Sequence, residues 1–196
     1  LIKLNSKAGF DFEMDYYNAD GSKSFCGNGA RCTTAFANQL GIISSSYKFD
    51  AIDGAHFASI NEKGIVSLKM SDVQMIESVN HDYFAHTGSP HYVRFVDDAK
   101  LVDVFNEGQQ VRYSENYKTD GVNVNFVQEF DNSCFVRTYE RGVEDETLSC
   151  GTGVTACALV IAHKNMLEGN FEIQITTLGG DLSVKAKREN NRFSDV

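Results

Sequence analysis

The chain has 196 residues, enough for one large domain or two small lobes, and 42% of them are hydrophobic, as expected of a chain that buries a core. Lys and Arg total 18 against 27 Asp and Glu, a formal charge of −9, and no basic stripe interrupts this, which argues against a nucleic-acid partner. The longest apolar run, Ala156 to Ala162, is far short of the roughly 20 residues a membrane-spanning helix needs, and no signal peptide is visible.

In chain order, Phe10, Phe12, Met14 and Tyr16 alternate with polar partners, the period of a half-buried strand. Turn residues Asn18-Ala19-Asp20-Gly21-Ser22 follow. Cys26-Gly27-Asn28-Gly29 then opens a predicted helix that places Cys32, Ala35, Phe36 and Leu40 on one apolar face and ends at Gly41. Strands are expected over 47–52, 56–60 and 65–70, then over 92–95 after a turn held by Pro90. A short helix is expected over 99–107 and a strand over 121–128, with Val122, Val124 and Phe126 facing one way and Asn123 and Asn125 the other. A strand over 134–139 and a polar loop over 140–149 lead to Cys150-Gly151-Thr152-Gly153. That motif opens a second helix, apolar nearly all round and so expected to be buried, before a hairpin over 171–176 and 182–187.

The series strand, loop, Cys-Gly-x-Gly, helix and hairpin thus occurs twice, the mark of an internal duplication. The expected fold is α+β: two pseudo-symmetric lobes, each a curved mixed sheet around a central helix, facing each other across a cleft. The first lobe is assigned to 1–72, the second to 73–187, and 188–196 to a segment returning to the first lobe. The chain opens on Leu1 and ends on Phe193-Ser194-Asp195-Val196, so it reads as a fragment with the N-terminal part of the first lobe missing.

The five cysteines include no C-x-x-C pair, which fits free thiols in a reducing cytoplasm better than a disulfide framework or a zinc site. Cys32, Cys134 and Cys157 read as packed residues. Cys26 and Cys150 stand at helix starts, where unpaired N–H groups and the helix dipole favour a thiolate. The same N–H groups, approached closely through Gly27, Gly29, Gly151 and Gly153, suit a carboxylate. A thiolate on one side of an amino acid's α-carbon and a thiol on the other would invert the stereocentre by removing and returning a proton. No pyridoxal cofactor and no metal are required.

At these residues the sequence resembles the diaminopimelate epimerase family, pyridoxal-independent two-cysteine isomerases of lysine and cell-wall precursor synthesis. The stretches that carry the resemblance are Asn18 to Ser22, Cys26 to Cys32, Gly88-Ser89-Pro90-His91, Asn123-Val124-Asn125-Phe126, Tyr139-Glu140-Arg141-Gly142 and Ser149 to Gly153. Proline-racemase-like relatives share the paired cysteines but typically have histidine where Asn28 stands and lack the Glu-Arg-Gly stretch. The resemblance implies that Cys26 and Cys150 are the acid–base pair and that Gly27, Asn28, Gly151 and Thr152 hold the reacting carboxylate. It also implies that Asn18, Asn123, Glu140 and Arg141 hold the distant amino-acid end, with Ser89 and His91 as further candidates. The family usually has Asn where Ser89 stands.

The implied reaction interconverts LL- and meso-diaminopimelate without a cofactor. The expected partner is this small-molecule amino acid, with no nucleic acid or membrane and with a homodimer left open. The alternatives are a racemase of another amino acid, a non-catalytic carboxylate-binding protein, and a redox protein cycling a Cys26–Cys150 disulfide.

Overall fold

The computed structural model describes residues 2–4, 7–17, 21–42, 44–131 and 133–196. The expected turn at Asn18, Ala19 and Asp20 lies outside the described residues. The chain divides into two compact units, Leu1–Lys69 and Met70–Val196.

In the first unit, β1 (Ile2–Leu4), β2 (Phe12–Met14), β3 (Ser46–Ala51), β4 (Gly54–Ile60) and β5 (Val66–Leu68) form a mixed sheet in that order. Phe12 and Met14 of β2 and Tyr47 and Phe49 of β3 point into the core, as their period of two requires. The parallel β2–β3 register sets Phe12 opposite Phe49, and their rings stack with centroids 5.0 Å apart. Helix α1 (Gly27–Gln39) connects these two strands. Gly41, at φ +89°, follows its last turn, and the N–H of Ile42 reaches back to the Ala37 carbonyl, a glycine-terminated helix end.

The face α1 buries is not the expected one. Gly27, Ala30, Thr34 and Ala37 are buried, whereas Cys32 is exposed and Phe36 and Leu40 are 48% and 49% exposed. The buried stripe is small, which lets the helix backbone lie close to the sheet. Its one polar member is satisfied, because the Thr34 hydroxyl donates to the Ala30 carbonyl at 2.9 Å.

The second unit is a larger mixed sheet. Its strands are β6 (Glu77–Val79), β7 (Asp82–His86), β8 (Pro90–Phe95), β9 (Asn123–Glu129), β10 (Ser133–Glu140), β11 (Asp145–Thr147), β12 (Gly169–Thr177), β13 (Gly180–Glu189) and β14 (Arg192–Ser194). The order is β14-β13-β12-β10-β9-β8-β7-β6, with β11 added on β10. Helix α2 (Val104–Arg112) lies between the parallel strands β8 and β9, and α3 (Gly151–Lys164) between the parallel strands β10 and β12. The strand–helix–strand unit around α3 therefore repeats the β2–α1–β3 unit, and each is followed by a hairpin. Residues 154–162 of α3 are all buried, as its unbroken apolar sequence implies.

Four expectations change in this unit. The helix expected over 99–107 is a 3-10 turn at Ala99–Leu101 followed by α2, because Asp98 and Asp103 each cap a separate start and Val102 between them is extended. The loop expected over 140–149 contains β11. It folds back on β10 through a turn in which Gly142 and Glu144 take positive φ, and the Glu144 carboxylate accepts hydrogen bonds from the Gly142 N–H and the Tyr139 hydroxyl. Strand β9 is buried on both faces rather than one: Val124 and Phe126 join a cluster with Val104 of α2, while Val127 packs in the core that holds α3. Finally, 188–196 stays with the second unit. Strand β14 pairs with β13, Phe193 bridges Val73, and its 1% exposure anchors it in the same core as α3.

Candidate active site

Cys26 is the N-cap of α1, with an extended backbone (φ −132°) and its Sγ accepting from the Gly29 N–H at 3.4 Å. The sulfur thus takes the part usually played by a Ser or Asp oxygen. A Cβ at Gly29 would lie 3.1 Å from the Met14 Cε and 3.2 Å from the Tyr16 ring, a tight fit that glycine relieves. Gly27 is buried against the sheet, and Asn28, one residue on, accepts a hydrogen bond from the Arg31 guanidinium. Burial lowers the pKa of Arg31, which lies near enough to Cys32 and Cys26 for their thiolates to oppose that shift. The helix start therefore carries a half-buried thiol with a cation beside it. Asn18, the remaining first-unit candidate, lies outside the described residues.

Cys150 is the N-cap of α3 (φ −113°) and is 8% exposed. The expected lowering of its pKa is reversed. Burial pushes the thiol up, Glu140 adds to the rise, and the Thr152 hydroxyl with the N–H groups of Gly153 and Thr152 pulls back less strongly. Desolvation outweighs the helix start here, so the protonated thiol is favoured.

The other second-unit candidates gather around this cysteine. The Thr152 Oγ1 is 3.4 Å from the Cys150 Sγ, 2.9 Å from the His91 Nε2 and 3.0 Å from the Ser89 Oγ, and Ser89 is itself 2.9 Å from His91. Asn123 donates to the Ser89 hydroxyl and the Pro90 carbonyl, and its Oδ1 accepts from the backbone N–H of Arg141 at 2.9 Å. Glu140 accepts from the Thr147 hydroxyl at 2.9 Å, and Arg141 extends over Gly121 to the Asp120 carbonyl. Strand ends β8, β9 and β10 and the start of α3 thus supply Ser89, His91, Asn123, Glu140, Arg141, Cys150, Gly151 and Thr152 to one region. Pro90, expected to hold a turn, is the first residue of β8, where its missing N–H costs no interior ladder bond.

A sequence model of the family described as diaminopimelate epimerase matches residues 83–196. The chain is 47% identical to the diaminopimelate epimerase of Flavobacterium psychrophilum, an alignment that covers 100% of this chain and 77% of that protein. The chain belongs to the diaminopimelate epimerase family. A second family protein, from Aquifex aeolicus, is 37% identical over 93% of this chain and 69% of its own length. Among solved structures, a Bacillus anthracis phenazine biosynthesis protein of the PhzF family matches with a TM-score of 0.74 at 12% identity, over 96% of this chain and 77% of that one. A hydroxyproline epimerase from Agrobacterium vitis matches with 0.72 at 15%, over 98% and 69%. These two likenesses concern the fold, α+β with mixed sheets wrapped on helices.

For a diaminopimelate epimerase family member, the residues that sequence reasoning passed over are informative. Asn125 and Thr138 are buried and hydrogen-bonded beneath His91, and Thr87 donates to the Thr152 carbonyl at 2.8 Å. Asn125 lies in one of the stretches that carry the family resemblance and alternates with apolar residues, but nothing in that pattern singles it out from Asn123 as a buried partner of His91. Gly153 also has a use beyond flexibility: a Cβ would stand 2.5 Å from the Asn125 Oδ1 and 3.3 Å from the His91 ring. Cys32 was expected to be packed and is exposed, whereas Cys134 and Cys157 are buried, with burial pushing Cys134 up to about 12. Among the described residues, no three His, Cys, Asp or Glu side chains gather as metal ligands, and no helix is long and apolar enough to cross a membrane.

Proposed function

We propose that this chain interconverts LL- and meso-diaminopimelate by two-base proton exchange at the α-carbon, with Cys26 and Cys150 as the exchanging groups. The observation that carries the reading is that each cysteine is the N-cap of a glycine-flanked helix start, in a chain of this family. One cysteine, as the thiolate, takes the α-proton and becomes a thiol while the other, as the thiol, returns a proton from the opposite face and becomes the thiolate. The N–H groups of the helix starts, beside Gly27, Asn28, Gly151 and Thr152, stabilise the charge that develops on the carboxylate. Cys150, whose pKa burial raises, is suited to begin as the acid.

Arg141 and Glu140, on the turn that ends β10, would bind the far carboxylate and ammonium, with Asn18, Asn123 and Ser89 completing that end. Arg141 favours a substrate with a second carboxylate, because a guanidinium can grip one through two parallel hydrogen bonds. This chemistry supplies every proton from the chain itself, and its need for reduced thiols fits a cytoplasmic setting.

The test is incubation with LL-diaminopimelate in heavy water. Deuterium at the α-carbon together with formation of the meso isomer is expected. Stoichiometric binding without exchange would replace the reading with a carboxylate-binding protein. Reversible Cys26–Cys150 disulfide cycling without exchange would replace it with a redox protein.

A further inference from the structure

The hydrogen-bond network under Cys150 has a direction, and a residue with no assigned part in the chemistry sets it. Asn125 is fully buried on β9. Its Nδ2 lies 3.0 Å from the Tyr92 carbonyl, which can only accept, so that nitrogen is the donor end of the amide. Its Oδ1 is 3.0 Å from the Thr138 hydroxyl, which donates to it. With both ends of the amide assigned, its second N–H points at the His91 Nδ1, 3.1 Å away. That ring nitrogen must accept, so in the neutral imidazole the proton sits on Nε2.

The Nε2–H group then faces the Ser89 and Thr152 hydroxyls, both 2.9 Å away. Because the ring supplies this hydrogen, both hydroxyl protons can point onward, that of Ser89 to Thr152 and that of Thr152 to the Cys150 Sγ. With the proton on Nδ1 instead, Nε2 would be an acceptor 2.9 Å from Thr152 Oγ1 and would compete with the sulfur for that hydroxyl's proton.

We infer that Asn125 is a positioning residue that locks His91 in the Nε2–H tautomer and so aims the Thr152 hydroxyl proton at Cys150, favouring the thiolate left when this cysteine gives up its proton. The surroundings support a neutral ring. His91 is fully buried, and burial with the nearby charges of His86 and Arg141 holds its pKa down to about 3. Glu140 is the charged group facing Cys150, and it opposes the thiolate, so the donor from Thr152 is the local counterweight. The close approach of Gly153 to the Asn125 Oδ1 packs the amide in place.

The inference rests on the role proposed for Cys150, but its test reads a tautomer and a thiol titration, and so fails separately from α-proton exchange. Long-range nitrogen–proton correlation spectra of the ¹⁵N-labelled chain near neutral pH should show His91 protonated on Nε2 alone. A ring protonated on Nδ1, or on both nitrogens, would overturn the idea without any variant. In Asn125→Leu, the pH midpoint for alkylation of Cys150 by a small haloacetamide, followed by peptide mass spectrometry, should rise by about one pH unit. A purely structural role for Asn125 would lower the melting temperature and leave that midpoint in place, and a folded Asn125→Leu with an unshifted midpoint refutes the inference. Should that variant fail to fold, the His91 tautomer in the unaltered chain decides alone.

Discussion

Helices α1 and α3 begin with the same local grammar and end up in different surroundings. Each starts at a cysteine with extended backbone, followed by Gly-x-Gly, and each connects two parallel strands. In α1 the sulfur accepts the capping hydrogen bond from Gly29, and the helix sets only a narrow stripe of small residues against its sheet. In α3 the sulfur lies 3.4 Å from the Thr152 hydroxyl and heads a helix buried along nearly its whole length. A repeated motif thus specifies where a thiol stands. What the thiol does with its proton depends on how much low-dielectric material the rest of the unit packs around it, which for Cys150 is enough to overcome the helix start.

The comparison can be broken most severely at the sulfurs. Cys26→Ala and Cys150→Ala should each abolish inversion, a loss of about 10³-fold or more in isomer interconversion followed by chiral chromatography. Near-normal turnover by one variant would mean that the two helix starts are not partners in the reaction. Next in size, Leu159→Ala in α3 should cost about 2–5 kcal/mol in urea unfolding, because the side chain is fully buried and leaves a cavity.

The glycines sharpen the contrast further. Gly153→Ala forces a Cβ to 2.5 Å from the buried Asn125 amide and should cost about 1–3 kcal/mol. Gly29→Ala puts a Cβ at 3.1 Å from Met14 Cε, 3.2 Å from the Tyr16 ring and 3.4 Å from the Cys26 Cβ, looser than the 2.5 Å at Gly153, and should cost less in the same assay. Equal losses would show that the two starts are packed alike.

Acid should separate the units as well. His91 in the second unit is held down to about 3 from 6.5, so the unfolded chain binds the proton first, and stability falls as the pH drops from about 6.5 toward about 3. Asp15 in the first unit is lowered to about 2 from 3.8 by hydrogen bonds from Lys23 and Lys3, so its contribution is intact above 3.8 and is lost only as the pH falls through about 2. Amide exchange between pH 6 and 4 should therefore show α3 losing protection while β2 and β3 keep theirs. The smallest effect is expected at Cys32→Ser, on the exposed face of α1, which should change unfolding stability by less than about 0.5 kcal/mol.

Most of the strands were legible because β2, β3, β10, β12 and β13 bury alternate residues, and a period of two is written directly in the side chains. The burial of α3 was legible for a related reason, since a helix apolar on every side has no face to give to water. Helix α1 misled. Its larger apolar residues, Phe36 and Leu40, suggested the buried face, while the sheet took Gly27, Ala30, Thr34 and Ala37, which let the backbones approach. Strand β9 misled in the opposite sense. The alternation set Asn123 and Asn125 on the face opposite Val122, Val124 and Phe126, but α3 covers that side of the sheet too, and hydrogen bonds take the place of water.

By itself, then, the sequence determined the duplicated strand–helix–strand pattern, the two cysteine helix starts and the motifs that mark the family, all of which are local in the chain. Only the tertiary structure decided which face of α1 is covered, which asparagines are buried, and that burial raises the Cys150 pKa where the helix start alone would lower it. Those properties depend on what distant segments pack against a residue, and the cost of removing a charge or an amide from water is set by that packing rather than by neighbours in the chain.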